Sequence, residues 1–317
     1  MQKTRAFSCS GICTVFLLFF SLLLPLALPA CGEAAFFQVH QINIGCGDAY
    51  MLLSGDTVIL VDCGLDTDAT NDNTPLFTYL SASGIDHVDA HIVTHYHNDH
   101  CFNINYINET YGTEDSIVYG PSPELCKDYV PLKNGSYRQM RDGDHLEIGP
   151  FVIDCVGPAD GNTLGNTNYD SLNFFVTCGS RRFFFTGDWV DWLIKDRHPD
   201  LFVKVDVLSF PHHGLQRWCI QKSSMKLLNP DIILVPGRNR QTVRQYCREC
   251  DVNDEVQIYS VLDGNIVVLT NGDALELVTC VAPGEYTYGM AVPETMRTGE
   301  EEEEESLPGD VFQIHFQ

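Results

Sequence analysis

The chain has 317 residues, 44% of them hydrophobic, which suffices to bury a core as one large domain or two small ones. Its 43 acidic and 19 basic residues give a formal charge of −24, and such a surface repels polyanions, which counts against tight non-specific binding of nucleic acid. Composition also argues against wholesale disorder, and no short repeat of solenoid type is present.

In chain order, Lys3 and Arg5 precede an apolar run over residues 12–30, broken by Pro25 and Pro29, with small Ala30 before Cys31. That pattern reads as an export leader over residues 1–30, placing the body outside the cytosol. Leu28-Pro29-Ala30-Cys31 resembles a bacterial lipobox, and an uncleaved apolar run near the roughly 20 residues that span a bilayer is the other reading. Either gives membrane attachment through the leader.

The body, residues 31–285, alternates short apolar runs with turns. Strands are expected at 36–44, 49–53 and 58–61, separated by Gly45-Cys46-Gly47-Asp48 and Ser54-Gly55-Asp56. A helix is expected over 74–83, with Pro75 near its start and Gly84 closing it. A buried strand over 88–94 runs straight into His95. Further strands are expected at 116–119, 151–156, 172–177 and 182–186, the last two joined by a Gly179-Ser180 hairpin turn. A helix over 189–196 and a strand over 205–210 lead to Pro211-His212-His213-Gly214. Helices at 223–228 and 242–248 and strands at 232–235, 257–260, 266–270 and 275–279 complete the body. Two blocks of strands with interspersed helices imply two sheets packed face to face with helices outside. Residues 286–317, with the glutamate run 300–305, read as a solvated acidic tail.

His95-Tyr96-His97-Asn98-Asp99-His100 carries the chemistry. Three of the chain's 11 histidines and a carboxylate fall within six residues, just after a buried strand. Imidazole nitrogen and carboxylate oxygen suit zinc, manganese or iron. Cys247-x-x-Cys250 has metal-ligand spacing, but no second pair completes a structural zinc site. Cys155 and Cys178 lie in apolar runs and read as small core hydrophobes.

The His95–His100 loop resembles the His-x-His-x-Asp-His signature of the metallo-β-lactamase superfamily. Val58-Ile59-Leu60-Val61-Asp62-Cys63-Gly64 resembles its early strand, whose aspartate supports the site from behind. Phe183-Phe184-Phe185-Thr186-Gly187-Asp188 resembles the strand whose final aspartate bridges two metals, and Leu208-Ser209-Phe210-Pro211-His212-His213-Gly214 resembles the segment supplying a further histidine. The details look most like the exported hydrolase domains of ComEC-type DNA-uptake channels. Asn43-Ile44-Gly45-Cys46-Gly47-Asp48-Ala49, Asn168-Tyr169-Asp170-Ser171-Leu172 and the Arg181-Arg182 turn are similar to their counterparts there. Phosphorylcholine esterases of bacterial surfaces have a related catalytic domain.

The resemblance implies an α/β four-layer αββα sandwich binding one or two ions of zinc or manganese. The implied ligands are His95, His97, Asp99, His100, Asp188 and one of His212 and His213, with Asp62, Asp170 and Asn168 as further ligands or supports. Many members place another histidine before the bridging aspartate; here that interval holds only His145, in a turn that reads as exposed. A bound divalent ion brings the pKa of water down to roughly 7, so hydroxide forms at neutral pH, and Asp99 is placed to orient or deprotonate the nucleophile. The expected activity is an exported, metal-dependent phosphodiesterase or nuclease, acting on extracellular nucleic acid or another phosphate-bearing substrate. Hydrolysis of small esters, lactones or β-lactams, and a non-catalytic surface binding module, are the alternatives.

Overall fold

The computed structural model describes residues 36–65, 73–122, 132–159 and 167–279. The expected leader, Cys31 and the acidic tail lie outside the described residues. Strands β1 (Phe37–Gln41), β2 (Tyr50–Ser54) and β3 (Thr57–Val61) are followed by helix α1 (Thr74–Ala82) and strand β4 (Val88–Ile92). Short helices α2 (Asn98–Cys101) and α3 (Ile104–Tyr111) precede β5 (Gly112–Gly120), β6 (Ser136–Gln139), β7 (His145–Ile148) and β8 (Phe151–Gly157). Next come β9 (Asn173–Cys178), β10 (Arg181–Phe185), α4 (Ile194–Arg197), β11 (Val207–Ser209), α5 (Lys222–Leu228) and β12 (Ile232–Val235). Helix α6 (Arg240–Glu249) and strands β13 (Gln257–Ser260), β14 (Ile266–Thr270) and β15 (Leu275–Thr279) follow.

One sheet has the order β15-β14-β1-β2-β3-β4-β5-β6 and the other β13-β12-β11-β10-β9-β8-β7. Alternation of side chains builds four layers from these two sheets. Ile59 and Val61 of β3 point into a central cluster with Phe174 and Val176 of β9 and Phe183 and Phe185 of β10, which joins the sheets face to face. The intervening Val58 and Leu60 pack outward with Leu76 and Tyr79 of α1 and Ile107 of α3. On the far side, Phe175 and Phe184 pack outward with Ile194 of α4, Met225 of α5 and Val243 of α6. The expected αββα sandwich is what forms.

The site follows from the pairing directions. β3 and β4 are parallel, as are β10 and β11, so the carboxyl ends of each pair emerge together. Asp62 follows β3, His95 follows β4, Asp188 follows β10, and His212 and His213 follow β11. The two sheets are tied near this edge by Tyr50 Oη to Ser209 Oγ at 2.7 Å and by Leu172 N–H donating to Thr94 O at 2.9 Å.

The helix expected over 189–196 is reduced to Ile194–Arg197. Side chains take the backbone groups that a longer helix would pair. Asn173 Nδ2 donates to Trp189 O, its Oδ1 accepts from Asp191 N, and Asp191 Oδ1 accepts from Leu193 N. Val190 N–H meanwhile donates to Cys219 O. The strand expected to reach residue 44 stops at Gln41, and α2, α3, β6 and β7 carry too weak a periodicity to be read from sequence. Cys155 and Cys178 are buried in the central cluster, and Cys247 and Cys250 in the apolar cluster beneath α6.

Candidate metal centre

The loop after β4 is held from both sides. Asp62, in the left-handed region at φ 55°, accepts from Thr94 N and Thr94 Oγ1 at 2.7 Å each and from His100 Nδ1 at 2.8 Å. His97 is still extended (ψ 151°) and caps α2, so Asp99 and His100 sit on the first helical turn. A Cβ at Gly64 would lie 1.8 Å from Asp99 O, so only glycine lets the segment after β3 pass this close.

The second half of the cluster hangs on the other sheet. Thr186 Oγ1 donates to Ser209 O, and Asp188 N–H donates to Ser171 Oγ at 3.0 Å. His212 and His213 both adopt left-handed backbone, at φ 54° and 53°, before Gly214 at 74°. Non-glycine residues in that region cost roughly 1–3 kcal/mol each, and such strain persists only where surroundings enforce it. The turn brings both rings to Asp188.

Asp188 divides the imidazoles between its two oxygens. Oδ1 lies 3.0 Å from His100 Nε2 and 3.7 Å from His213 Nε2. Oδ2 lies 3.5 Å from His95 Nε2 and 3.7 Å from His212 Nε2. His95 Nε2 is 3.2 Å from His97 Nδ1, and His213 Nε2 is 3.1 Å from Asp99 Oδ2. His213, 1% exposed, lies deep beside Asp99, and His212, 18% exposed, lies toward solvent. Cys219 Sγ is 3.4 Å from His212 Nδ1 on the far side of the ring.

These atoms fit divalent cations. Four ligands at 2.0–2.1 Å in tetrahedral array stand about 3.3 Å apart, the range of most contacts above. His95, His97 and Asp188 form one group whose ligand atoms lie within 4.8 Å of one another, and Asp48, His100 and His213 form another. His100 Nε2 and Asp188 Oδ1 are buried and face each other at 3.0 Å, yet among the described groups neither meets a partner in hydrogen-bonding geometry, an arrangement that a positive charge between them would relieve.

The electrostatics say the same. Burial pushes the Asp188 carboxyl up, but His100, His213 and His95 together outweigh it and hold it well below the usual range. Burial pushes His100 down, but Asp188, Asp48 and Asp62 outweigh it and raise it well above the usual imidazole value. His213 is opposed by burial in the same way and raised to about 10 by Asp188, Asp48 and Asp99. The carboxylates thus favour positive charge among these rings, the kind of site in which a divalent ion would compete with protons. His95 and His97, by contrast, are pushed down by burial first and then by neighbouring imidazoles, His100 and His95 respectively, and are ready as neutral ligands.

The structure therefore brings together His95, His97, Asp99, His100, Asp188, His212 and His213, with Asp62 behind them. Asp170 belongs to neither group, and the Asn168 carbonyl accepts from Ser171 N–H at 3.2 Å. Burial pushes the Asp170 carboxyl up to about 6, and this stretch reaches the cluster through Ser171, whose Oγ is 3.4 Å from His95 Nδ1. His145 heads β7, is exposed, and contacts Asp154 at 2.6 Å. Sequence reading missed Ser171, Thr94 and Asp48. Asp48 stood in a quoted motif, but nothing local to it signals a partner 165 positions away in the chain.

Residues 45–238 match the family model described as the metallo-beta-lactamase superfamily. Among solved structures, the metallo-beta-lactamase fold protein YhfI from Bacillus subtilis is 18% identical, with a TM-score of 0.49 over 71% of this chain and 96% of that one. MEM-A1, a subclass B3 metallo-beta-lactamase from a soil metagenome library, is 16% identical, with a TM-score of 0.41 over 68% and 90%. A diphosphatase from the PhnP family is 12% identical, with a TM-score of 0.45 over 70% and 94%.

Proposed function

The chain belongs to the metallo-beta-lactamase superfamily, and on that premise we propose that it is a metal-dependent phosphodiester hydrolase that holds two divalent ions. The observation that carries this reading is the division of Asp188, with one carboxylate oxygen among His95 and His212 and the other among His100 and His213. A carboxylate so shared would let residues of both halves hold divalent ions, which would supply Lewis-acid stabilisation of charge at phosphorus. When bound, such ions polarise the scissile phosphoryl oxygen and bring the pKa of water down to roughly 7. Zinc and manganese both suit this donor set.

The residues divide the remaining work. His95, His97 and Asp188 hold one half of the centre, and Asp99, His100, His213 and Asp188 the other. Asp62 fixes the His100 ring through Nδ1. Asp99, with a partly exposed side chain and Oδ2 on His213, orients the attacking water at the mouth. His97 and His212 keep contact with solvent, so substrate approaches on their side. The acidic body supports a small or locally engaged phosphodiester over tight binding along a polyanion.

The test is a substrate panel of bis-nitrophenyl phosphate, single-stranded DNA, a phosphorylcholine ester, a lactone and nitrocefin, each with added zinc or manganese. Turnover of the phosphodiesters, abolished by a chelator, is expected. Turnover confined to lactone or nitrocefin would replace this reading, and metal binding with no turnover at all would leave a binding module. Export by the leader belongs to the same proposal; fractionation of cells expressing the full chain should place the body outside the cytoplasmic membrane.

A further inference from the structure

We infer that Asp48 is a positioning residue for His213, holding that ring as Asp62 holds the ring of His100, so that the glycine-rich turn at residues 45–48 is part of the metal centre. The inference rests on the metal-centre reading above, in which Asp48, though grouped in space with His100 and His213, is not among the residues that hold an ion.

Asp48 is 2% exposed, and a carboxylate buried that deeply is retained only where a charged or donating partner faces it. Its Oδ1 lies 2.9 Å from His213 Nδ1, and neither atom makes a hydrogen bond to any other described group, the two meeting obliquely. The opposite edge of the same ring carries Nε2, 3.1 Å from Asp99 Oδ2 and 3.7 Å from Asp188 Oδ1. An imidazole presents a lone pair at Nε2 only with its proton at Nδ1, and a carboxylate at Nδ1 selects that tautomer and makes Nε2 a stronger donor to a cation.

The neighbouring pair has the same construction. Asp62 Oδ2 takes His100 Nδ1 at 2.8 Å, and His100 Nε2 faces Asp188 Oδ1 at 3.0 Å. Two carboxylate–imidazole units therefore converge on one oxygen of Asp188. The backbone of the turn is fitted to this task. Asp48 N–H donates to Asp99 O at 2.9 Å, Gly64 N–H donates to Asp48 O at 3.1 Å, and Gly47 N–H donates to Pro236 O at 3.4 Å. A Cβ at Gly47, whose φ is 154°, would stand 2.9 Å from Asp99 O. The turn thus reads the position of the Asp99 loop and delivers a carboxylate behind His213.

The test uses the full chain and zinc as probe, in competition with a chromophoric chelator. Wild type is expected to bind two ions. Asp48→Ala should weaken one of them about 10–100-fold, the loss usual for an outer partner of a ligating histidine. The other ion should hold to within about threefold, and the circular dichroism of the metal-free protein should be unchanged. Asp48→Asn, which keeps an acceptor and removes the charge, should fall between. In zinc-loaded wild type, 15N resonances of the His213 ring should show Nδ1 protonated and Nε2 bound. Wild-type affinity for both ions in Asp48→Ala, or metal on Nδ1 of His213, would overturn the inference while leaving the metal centre standing. Should Asp48→Ala fail to fold, Asp48→Asn and the ring resonances decide. If wild type binds no zinc, the metal-centre reading and this inference both fail.

Discussion

Asp62 Oδ2 accepts from Nδ1 of His100 at 2.8 Å, and the same carboxylate also takes the backbone and hydroxyl donors of Thr94. One aspartate thereby fixes both the course of the loop and the ring that the loop carries. Asp62→Ala strands Thr94 N and His100 Nδ1 together, and an unsatisfied buried donor costs about 1–3 kcal/mol. The expected outcome is a lower melting temperature without metal and zinc affinity down about 10–100-fold. Asp62→Asn should recover part of the melting temperature and little of the affinity. Chelator competition and thermal melts on the three proteins check this; equal losses in both variants would mean that the charge plays no part.

Asp188 supplies an oxygen to each half of the centre, so its removal should not resemble the removal of a single histidine. Asp188→Ala is expected to reduce bound metal from two ions to one or none and to lower turnover at least 100-fold. His97→Ala should lose one ion. His145→Ala should change neither metal content nor turnover, because that ring is exposed and its partner is Asp154. Elemental analysis of the purified variants separates these outcomes, and full metal content in Asp188→Ala would refute the bridging role.

Gly64 tests the backbone design without touching a ligand. A Cβ there would meet Asp99 O at 1.8 Å and Asp99 C at 2.0 Å, atoms of the main chain that have no rotamer in which to retreat. Gly64→Ala should destabilise the fold by about 1–3 kcal/mol, the usual scale for overpacking. It should also weaken metal binding by displacing Asp99. A variant with wild-type melting temperature and zinc affinity would show that the loop yields freely at this point.

The fold and half of the centre were legible because their signals are local. His95, His97, Asp99 and His100 stand within six residues at the end of a buried run, and each strand-end aspartate follows an unmistakable apolar stretch. Parallel pairing then gathers those strand ends without further instruction. Asp48 and Ser171 were not legible as partners because their work depends on register across the two sheets. The roles of His212 and His213 depend on two consecutive left-handed residues, which an identical pair of side chains does not announce. Residues 189–196 misled for a related reason: the helical pattern is present, but Asn173, from a strand before it in the chain, takes the backbone groups instead.

His40 should make stability depend on pH far from the metal centre. Its ring is fully buried on β1, with Nδ1 2.7 Å from Tyr79 Oη and Nε2 3.1 Å from Gln38 Oε1, and burial lowers its pKa to about 3. Burial is the cause of that shift, with no offsetting charge among the described groups. An unfolded histidine titrates near 6.5, so below that pH the unfolded chain takes up a proton that the folded chain refuses. The contribution is therefore fully present above pH 6.5 and is lost as pH falls toward 3. Because the folded state stays neutral throughout, the loss by pH 5 is set by the unfolded value alone and comes to about 2 kcal/mol. For a body of this size that is a fall of roughly 4–8 °C in melting temperature. His40→Gln removes the titrating group and keeps a polar side chain for Tyr79. The difference in melting temperature between wild type and His40→Gln, measured without metal at pH 7 and pH 5, should shift by that amount in favour of the variant. A difference that stays constant between the two pH values would show that His40 is protonated in the folded protein as readily as in the unfolded one.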